Sequence, residues 1–414
     1  MESVIPAKFF RVGANLLFLY LGSAGLLAGL LMMKLSRSWT ISDWLINYEG
    51  GFIRRGLPGQ LAFFFGHTLH ISPISIVTAF YLSLFVALLF AVRSIVLASS
   101  HNLWVIALVV SPATLSFIIL HPQAGFRKEL IYLAALASLV AILQKKAIPS
   151  ALVVAYLTIV LALGTLSHEA VIFYAPYFFA ALILSGRSFT KAALECALPF
   201  AAGAFAFYLC STHLGGFNAA EGVCSSLGYR LLVPGSTDIC SSGAIPYLTK
   251  SREMAQVEVA GLVARYHYLA IYPVFTLLAL FPAFAESRLL VQFGLKREMK
   301  VVWLTSVIAL GASLPLFVYG IDWGRWIYIH IFSIAILLIA ADGAAKSVQS
   351  KIAQNSQEQR YRRLRAAMAF LFLYGTLWAL PVSTEPPRLG YMGRVLSAAH
   401  ITHETWVIAA SRSE

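Results

Sequence analysis

Long apolar runs, each broken by a few polar, glycine or proline positions, dominate the chain. A hydrocarbon core of ~30 Å needs about 20 apolar residues per crossing helix. The pattern predicts eleven such segments, near 13–33, 75–98, 102–120, 129–143, 148–166, 169–185, 192–210, 266–285, 301–319, 326–341 and 366–381. Several are short enough to be tilted or partly re-entrant. The first follows Lys8 and Arg11, exceeds a signal-peptide core and lacks a small-residue cleavage site, so it reads as a retained anchor. Neither a repeat of 20–50 residues nor an inverted pair of Gly/Pro-broken helices is visible.

Composition narrows the class. Of 414 residues, 59% are hydrophobic and only 12% charged. A soluble fold cannot bury that much apolar surface, and disordered, collagen-like and coiled-coil classes fail for the same reason. The expectation is an all-α polytopic transmembrane helical bundle. Residues 1–414 form a single integral membrane domain, with 211–264 as an extracytoplasmic loop or lid.

The formal charge of +13 speaks first to topology and gives no reason to invoke nucleic acid. Lys8 and Arg11 place the N-terminus in the cytoplasm. Eleven spans then put 17 basic and 6 acidic residues on the inner side, and 14 and 12 on the outer. The inner basics lie in short turns at Lys145–Lys146, at Arg187 and Lys191, in 286–300 and in 342–365, where the positive-inside rule applies best. The expected location is a bacterial inner membrane, with the unusual segments facing outward.

The first outer loop, Ser38–Gln60, carries Asp43, Trp44, Glu49, Gly50, Gly51, Arg54 and Arg55. Ser42 is positioned to cap a short helix bearing Asp43 and Trp44. Paired arginines beside glycines offer guanidinium forks and backbone N–H groups to a phosphate or pyrophosphate. The plainer alternative is that the arginines reach lipid headgroups and the tryptophans form an interfacial belt. Asp43 is positioned either as a general base or as an ion-pair partner of Arg54 or Arg55.

Three further turns add chemistry. His121–Glu129 ends in Arg127, Lys128 and Glu129, where a helix start already favours anions, though Glu129 is also an ordinary first-turn acid. Ser167-His168-Glu169 joins two spans. His168 is a candidate phosphate donor, and Glu169 a candidate base or a partner for Arg325 or Arg127. Ile172 stands four residues after His168, so no HExxH metalloprotease motif is present. Gly320–Trp326 packs Asp322, Trp323, Arg325 and Trp326 together. Asp322 and Arg325 share a helix face at i,i+3 and can pair. The two tryptophans suit either a sugar ring or an interfacial belt. Ionisable groups this close to lipid are costly, which favours a function for them.

The cysteines show no CxxC spacing. Cys224 and Cys240 lie in the outer loop and are expected to pair in an oxidising compartment, with Cys210 as the rival partner. That bridge would contribute roughly 3 kcal/mol. Residues Ser251–Arg265 read as an amphipathic surface helix. His400 and His403 in the tail are too isolated to suggest a metal site. No metal ligands and no cofactor are assigned.

The topology, with an acid in the first outer loop, resembles the GT-C class of membrane glycosyltransferases. The outer arginines Arg54, Arg55, Arg127 and Arg325 make it similar also to Wzy-type polysaccharide polymerases and ligases. The likeness covers the layout of most of the chain. Asp43 is followed by Trp44 and Leu45, without the Asp-x-Asp or Glu-x-Asp of many GT-C enzymes. The resemblance implies transfer of a glycan from a polyprenyl-(pyro)phosphate donor to a glycan acceptor at the bilayer surface. Asp43 and Glu169 would be catalytic. Arg54, Arg55, Arg127, His168, Asp322, Arg325, Trp323 and Trp326 would bind the donor. A transporter or flippase, or a non-catalytic assembly component, would use the same charges differently.

Overall fold

The computed structural model describes residues 7–34, 39–100, 102–349, 357–383 and 390–393. His400 and His403 lie outside the described residues, and the side chains of the basic run 360–364 are likewise outside them.

Every described regular element is helical. Among the described residues, eight helices are long and apolar enough to cross a membrane: Phe10–Met32, Pro73–Ala98, Leu103–Leu120, Ser150–Ser167, Phe189–Thr212, Tyr268–Gln292, Lys296–Tyr319 and Trp323–Ala345. Two shorter apolar helices, Leu130–Leu143 and Glu169–Leu184, complete pairs that the apolar pattern counted as full spans. Gln357–Thr376 corresponds to the expected last segment. The protein is a helical membrane bundle.

Burial sorts these helices into a core and a belt. In Trp323–Ala345, 89% of the best apolar window is buried inside the protein, against 28% for Phe10–Met32 and Tyr268–Gln292. The belt helices expose Leu16, Leu19, Leu277 and Phe281, as lipid contact requires. Where lipid supplies no hydrophobic drive for helix association, close packing does. Ser150–Ser167 packs along Phe189–Thr212. A Cβ on Gly203 would meet Leu161 Cβ at 3.2 Å, so the glycine keeps that approach close.

Breaks in the helices prepare one end of the bundle. Leu103–Val110 stops at Ser111, whose extended backbone is what the following Pro112 favours, and the chain resumes as Leu115–Leu120. The turn Pro122–Gly125 follows. His168 is extended, and its Nδ1 accepts the Ala170 N–H, opening a tight turn over Glu169–Tyr174 before Pro176 starts the next helix. Such irregular backbone survives at membrane depth only where protein covers it.

The outer loop has structure of its own. It contains Phe217–Ser226, a short turn at Pro246–Thr249 and the helix Arg252–Arg265. Ser251 caps that last helix by accepting the Met254 N–H. Cys224 and Cys240 are bonded, with Cα atoms 5.9 Å apart, while Cys196 and Cys210 are free and buried.

Candidate functional site

Residues from five distant segments meet at one end of the bundle. The short helix Trp39–Trp44 brings Asp43 there, fully buried. Ser42 lies within this helix and does not cap it. Its hydroxyl donates to the Ile239 carbonyl and accepts the Ile245 N–H, tying the helix to the disulfide-bonded loop. Trp44 Nε1 donates to the Phe126 carbonyl, and Trp39 N–H donates to Gln123 Oε1. These bonds lock the first loop onto the turn that carries Arg127.

The charges form a chain of pairs. Arg127 Nε lies 3.1 Å from Asp43 Oδ2, and Arg55 Nη1 lies 3.7 Å from Asp43 Oδ1. Arg55 Nε donates to both Glu169 oxygens, at 2.8 and 3.1 Å. Arg54 Nη1 stands 3.6 Å from Glu169. Arg325 Nη1 meets Glu129 at 2.8 Å, and its Nη2 meets Asp322 at 3.0 Å. His168 Nε2 faces Glu129 at 3.2 Å. Arg325 also lies over the Trp326 ring at 4.0 Å.

Arg55 has φ 66°, a left-handed backbone that an L residue adopts at a cost of about 1–2 kcal/mol. Its neighbours hold it there. Lys128 Nζ donates to the Arg55 carbonyl at 2.6 Å, and Arg54 N–H donates to the His213 carbonyl at 2.9 Å. Gly50 has a different task from presenting N–H groups. A Cβ there would strike the Ala219 backbone, so the glycine lets the first loop lie against Phe217–Ser226.

Burial and charge oppose each other at every group. Burial alone would raise the Asp43 carboxyl, yet Arg127, Lys128 and Arg55 hold it well below the usual carboxylate range. Burial likewise works to raise Glu129, and Arg325 and Arg127 hold it low. Burial pushes Lys128 down to about 8 against the pull of Asp43. It pushes His168 down to about 4, so that ring is neutral despite Glu129. Five cations therefore face four carboxylates, leaving one positive charge in excess.

A cavity of roughly 1090 Å³ opens over this cluster. Arg54, Arg55, Arg127, Glu169, Asp322, Arg325 and Trp326 line it. Asp43 and His168 lie beneath that lining, at 0% exposure. His168, expected to reach a phosphate, has its Nδ1 on the Ala170 N–H and its Nε2 facing Glu129. Trp323, expected at the donor as well, sits to one side. Its indole donates to the Phe317 carbonyl and packs against Tyr268 and Tyr272, away from the cavity lining. Glu169 pairs with Arg55 and Arg54 rather than with Arg127 or Arg325. Glu49 accepts from Gln60 and stands apart from the cluster.

Several lining groups were not singled out from sequence. Arg252, Ala255, Glu258 and Val259 come from the helix Arg252–Arg265, which closes one wall as a lid would. Lys250 pairs with Glu258 at 2.7 Å. Lys128 and Glu129, read from sequence as helix-start charges beside Arg127, lie buried beneath the lining. Deeper in the bundle, His330 bonds Tyr177 through Nδ1 and Ser313 through Nε2, each at 2.9 Å. Among the described residues no group of three or more His, Cys, Asp or Glu side chains is placed to hold a metal ion.

Chemically, the cavity offers guanidinium donors, an acid at its floor and several aromatic rings, Trp39, Tyr247 and Trp326 among them. Arg54 is the least committed donor. Among the described residues its guanidinium makes only the 3.6 Å approach to Glu169, and its Nε has no hydrogen-bond partner. Comparison with curated proteins and with solved structures finds no match. The family model described as uncharacterised membrane protein Rv1490 matches residues 11–268, more than half of the chain and all of the site except Asp322, Arg325 and Trp326; the protein belongs to that family.

Proposed function

We propose that the cavity binds the phosphate of a polyprenyl-(pyro)phosphate-linked glycan and transfers that glycan to an acceptor hydroxyl on the outer face of a bacterial inner membrane. The observation that carries this reading is the convergence of five cations on four carboxylates beneath one cavity, with Arg54 underused. A preorganised guanidinium stabilises a departing phosphate because it needs no reorganisation when charge develops. Glu169 reaches the cavity and is placed as the general base, drawing the acceptor proton once its hold on Arg55 loosens around the donor phosphate. Asp43 anchors Arg127 and Arg55 from below and acts on the reaction through them. Trp326 offers the sugar an aromatic face.

The outward orientation rests on the charge split between the two sides and on the Cys224–Cys240 bond, which suits an oxidising compartment. The N-terminus is then cytoplasmic. Cells lacking the protein should lose one surface glycan and regain it with the wild-type gene but not with Arg54→Ala or Glu169→Gln at equal protein level. Full glycan in both variants would reject the reading.

A second reading, a transporter or flippase for a lipid-linked or anionic solute, is favoured by His330. It is a titratable group buried within the central helix and bonded to Tyr177 and Ser313. Flux of a labelled solute through proteoliposomes, unaffected by acceptor, would favour it.

A further inference from the structure

At the opposite end of the bundle, two carboxyls from different helices meet inside the protein. Asp342 is carried by Trp323–Gln349, and Glu286 by Tyr268–Gln292. Both are at 0% exposure. Asp342 is richly supplied with donors: the Ser100 N–H at 2.5 Å, the Ser100 hydroxyl at 2.7 Å and the Asn102 amide at 3.1 Å. Three donors therefore converge on its two oxygens.

Glu286 is supplied differently. It lies against Asp342 and Asn102, yet neither of its buried oxygens makes a well-formed hydrogen bond. An ionised carboxylate without donors, buried beside a second one, would carry a desolvation cost of several kcal/mol and a like-charge repulsion. A proton on one oxygen removes both, because a carboxylic acid is a donor that a neighbouring carboxylate accepts.

The other charged groups of this end do not take that role. Tyr268–Gln292 packs against Trp323–Gln349, Leu103–Val110 and Lys296–Tyr319. The first brings Asp342 and the turn before the second brings Asn102. The third brings Trp303, which bonds Ser287 next door. Arg288, Lys296, Arg297 and Lys300 are exposed at the surface. Among the described residues, no cation acts on Glu286.

We propose that Glu286 and Asp342 form a proton-binding site, with one proton held covalently on Glu286 and hydrogen-bonded to the Asp342 carboxylate. The site is separate from the cavity, about 25 Å along the helix from Arg325 at 1.5 Å per residue. It stands whether or not the cavity handles glycans.

Infrared spectroscopy of the purified full-length protein tests it. The wild type should show a protonated-carboxyl stretch at neutral to mildly alkaline pH, and Glu286→Gln should lose it. Asp342→Asn removes the like charge, so the band should vanish at a lower pH than in the wild type. Where a variant folds poorly, the wild type alone suffices. Dicyclohexylcarbodiimide, an apolar reagent for neutral buried carboxyls, should label Glu286, as read by peptide mass mapping. A wild-type spectrum without the band, or a band that Glu286→Gln leaves unchanged, would overturn the proposal. An ionised Glu286 held by a bound metal cation gives the first of these outcomes.

Discussion

The two ends of the bundle handle buried carboxyls in opposite ways. At the cavity end, Asp43, Glu129, Glu169 and Asp322 each face an arginine, and the balance is one positive charge. At the other end, Glu286 faces another acid and an amide. Within the bundle the same residue type is thus either a counter-ion or a proton carrier, depending on what distant segments supply. The cavity end gathers spare positive charge and suits an anion. The far end sets one buried carboxyl against another and suits a proton.

Removing one acid at each end should expose the difference most sharply. Glu129→Gln leaves Arg325 buried with only the Asp322 contact, and should cost about 3 kcal/mol or more, since a stranded buried charge is what makes such pairs expensive to break. Glu286→Gln replaces a neutral acid by a neutral amide and should stay within about 1 kcal/mol. Thermal unfolding in detergent checks both. Equal losses would erase the contrast.

Next in size is the bridge on the outer loop. Cys224→Ser should destabilise the protein by roughly 3 kcal/mol in the chain-entropy model for a separation of 16 residues. It should also loosen the segment 239–245 that holds Ser42, read as faster amide exchange in Trp39–Trp44. Unchanged exchange there would separate the loop from the cavity.

Arg54→Ala should weaken binding of a polyprenyl phosphate about tenfold, for a charge-assisted donor worth ~1.5 kcal/mol. Stability should move by less than about 0.5 kcal/mol, because Arg54 makes no close hydrogen bond through its guanidinium. Arg54→Lys should fall between, keeping charge and losing the fork.

The smallest expected effect is on pH. Burial puts Lys128 at about 8 in the folded protein, below its ordinary value of 10.5. As pH rises through about 8 the cluster loses its excess positive charge, so anion affinity should fall a few-fold. Stability should move the other way over the window from about 8 to 10.5, because there the unfolded chain binds the proton that the folded one has lost. Binding and melting titrations with opposite slopes check this pair of signs, and Lys128→Met should abolish both trends.

Much of the fold was legible because span length and local spacing are written in the chain. The helix Arg252–Arg265, the Cys224–Cys240 bond and the Asp322–Arg325 pair at i,i+3 all follow from neighbours in sequence. The eleven apolar segments are met by eight helices long enough to cross, the shorter Leu130–Leu143 and Glu169–Leu184, and Gln357–Thr376. The candidate residues were mostly legible as costly charges, but their partners were not. Arg55 and Glu169 are 114 positions apart, and Arg325 and Glu129 are 196 apart, so only tertiary packing selects them. Trp323 and Trp326 look alike in sequence. The Phe317 carbonyl and the ring of Tyr268 claim Trp323, while Trp326 is left to the cavity and Arg325. Glu286 gave no sign of Asp342 for the same reason.

The most direct test of the cavity is a cryo-EM map of the purified protein with a polyprenyl phosphate added. Density for the phosphate is expected within hydrogen-bond reach of Arg54 and Arg127, with Glu169 turned toward the headgroup. A well-defined phosphate lodged elsewhere, with the cavity filled only by water, would contradict the assignment of this cluster as the phosphate site.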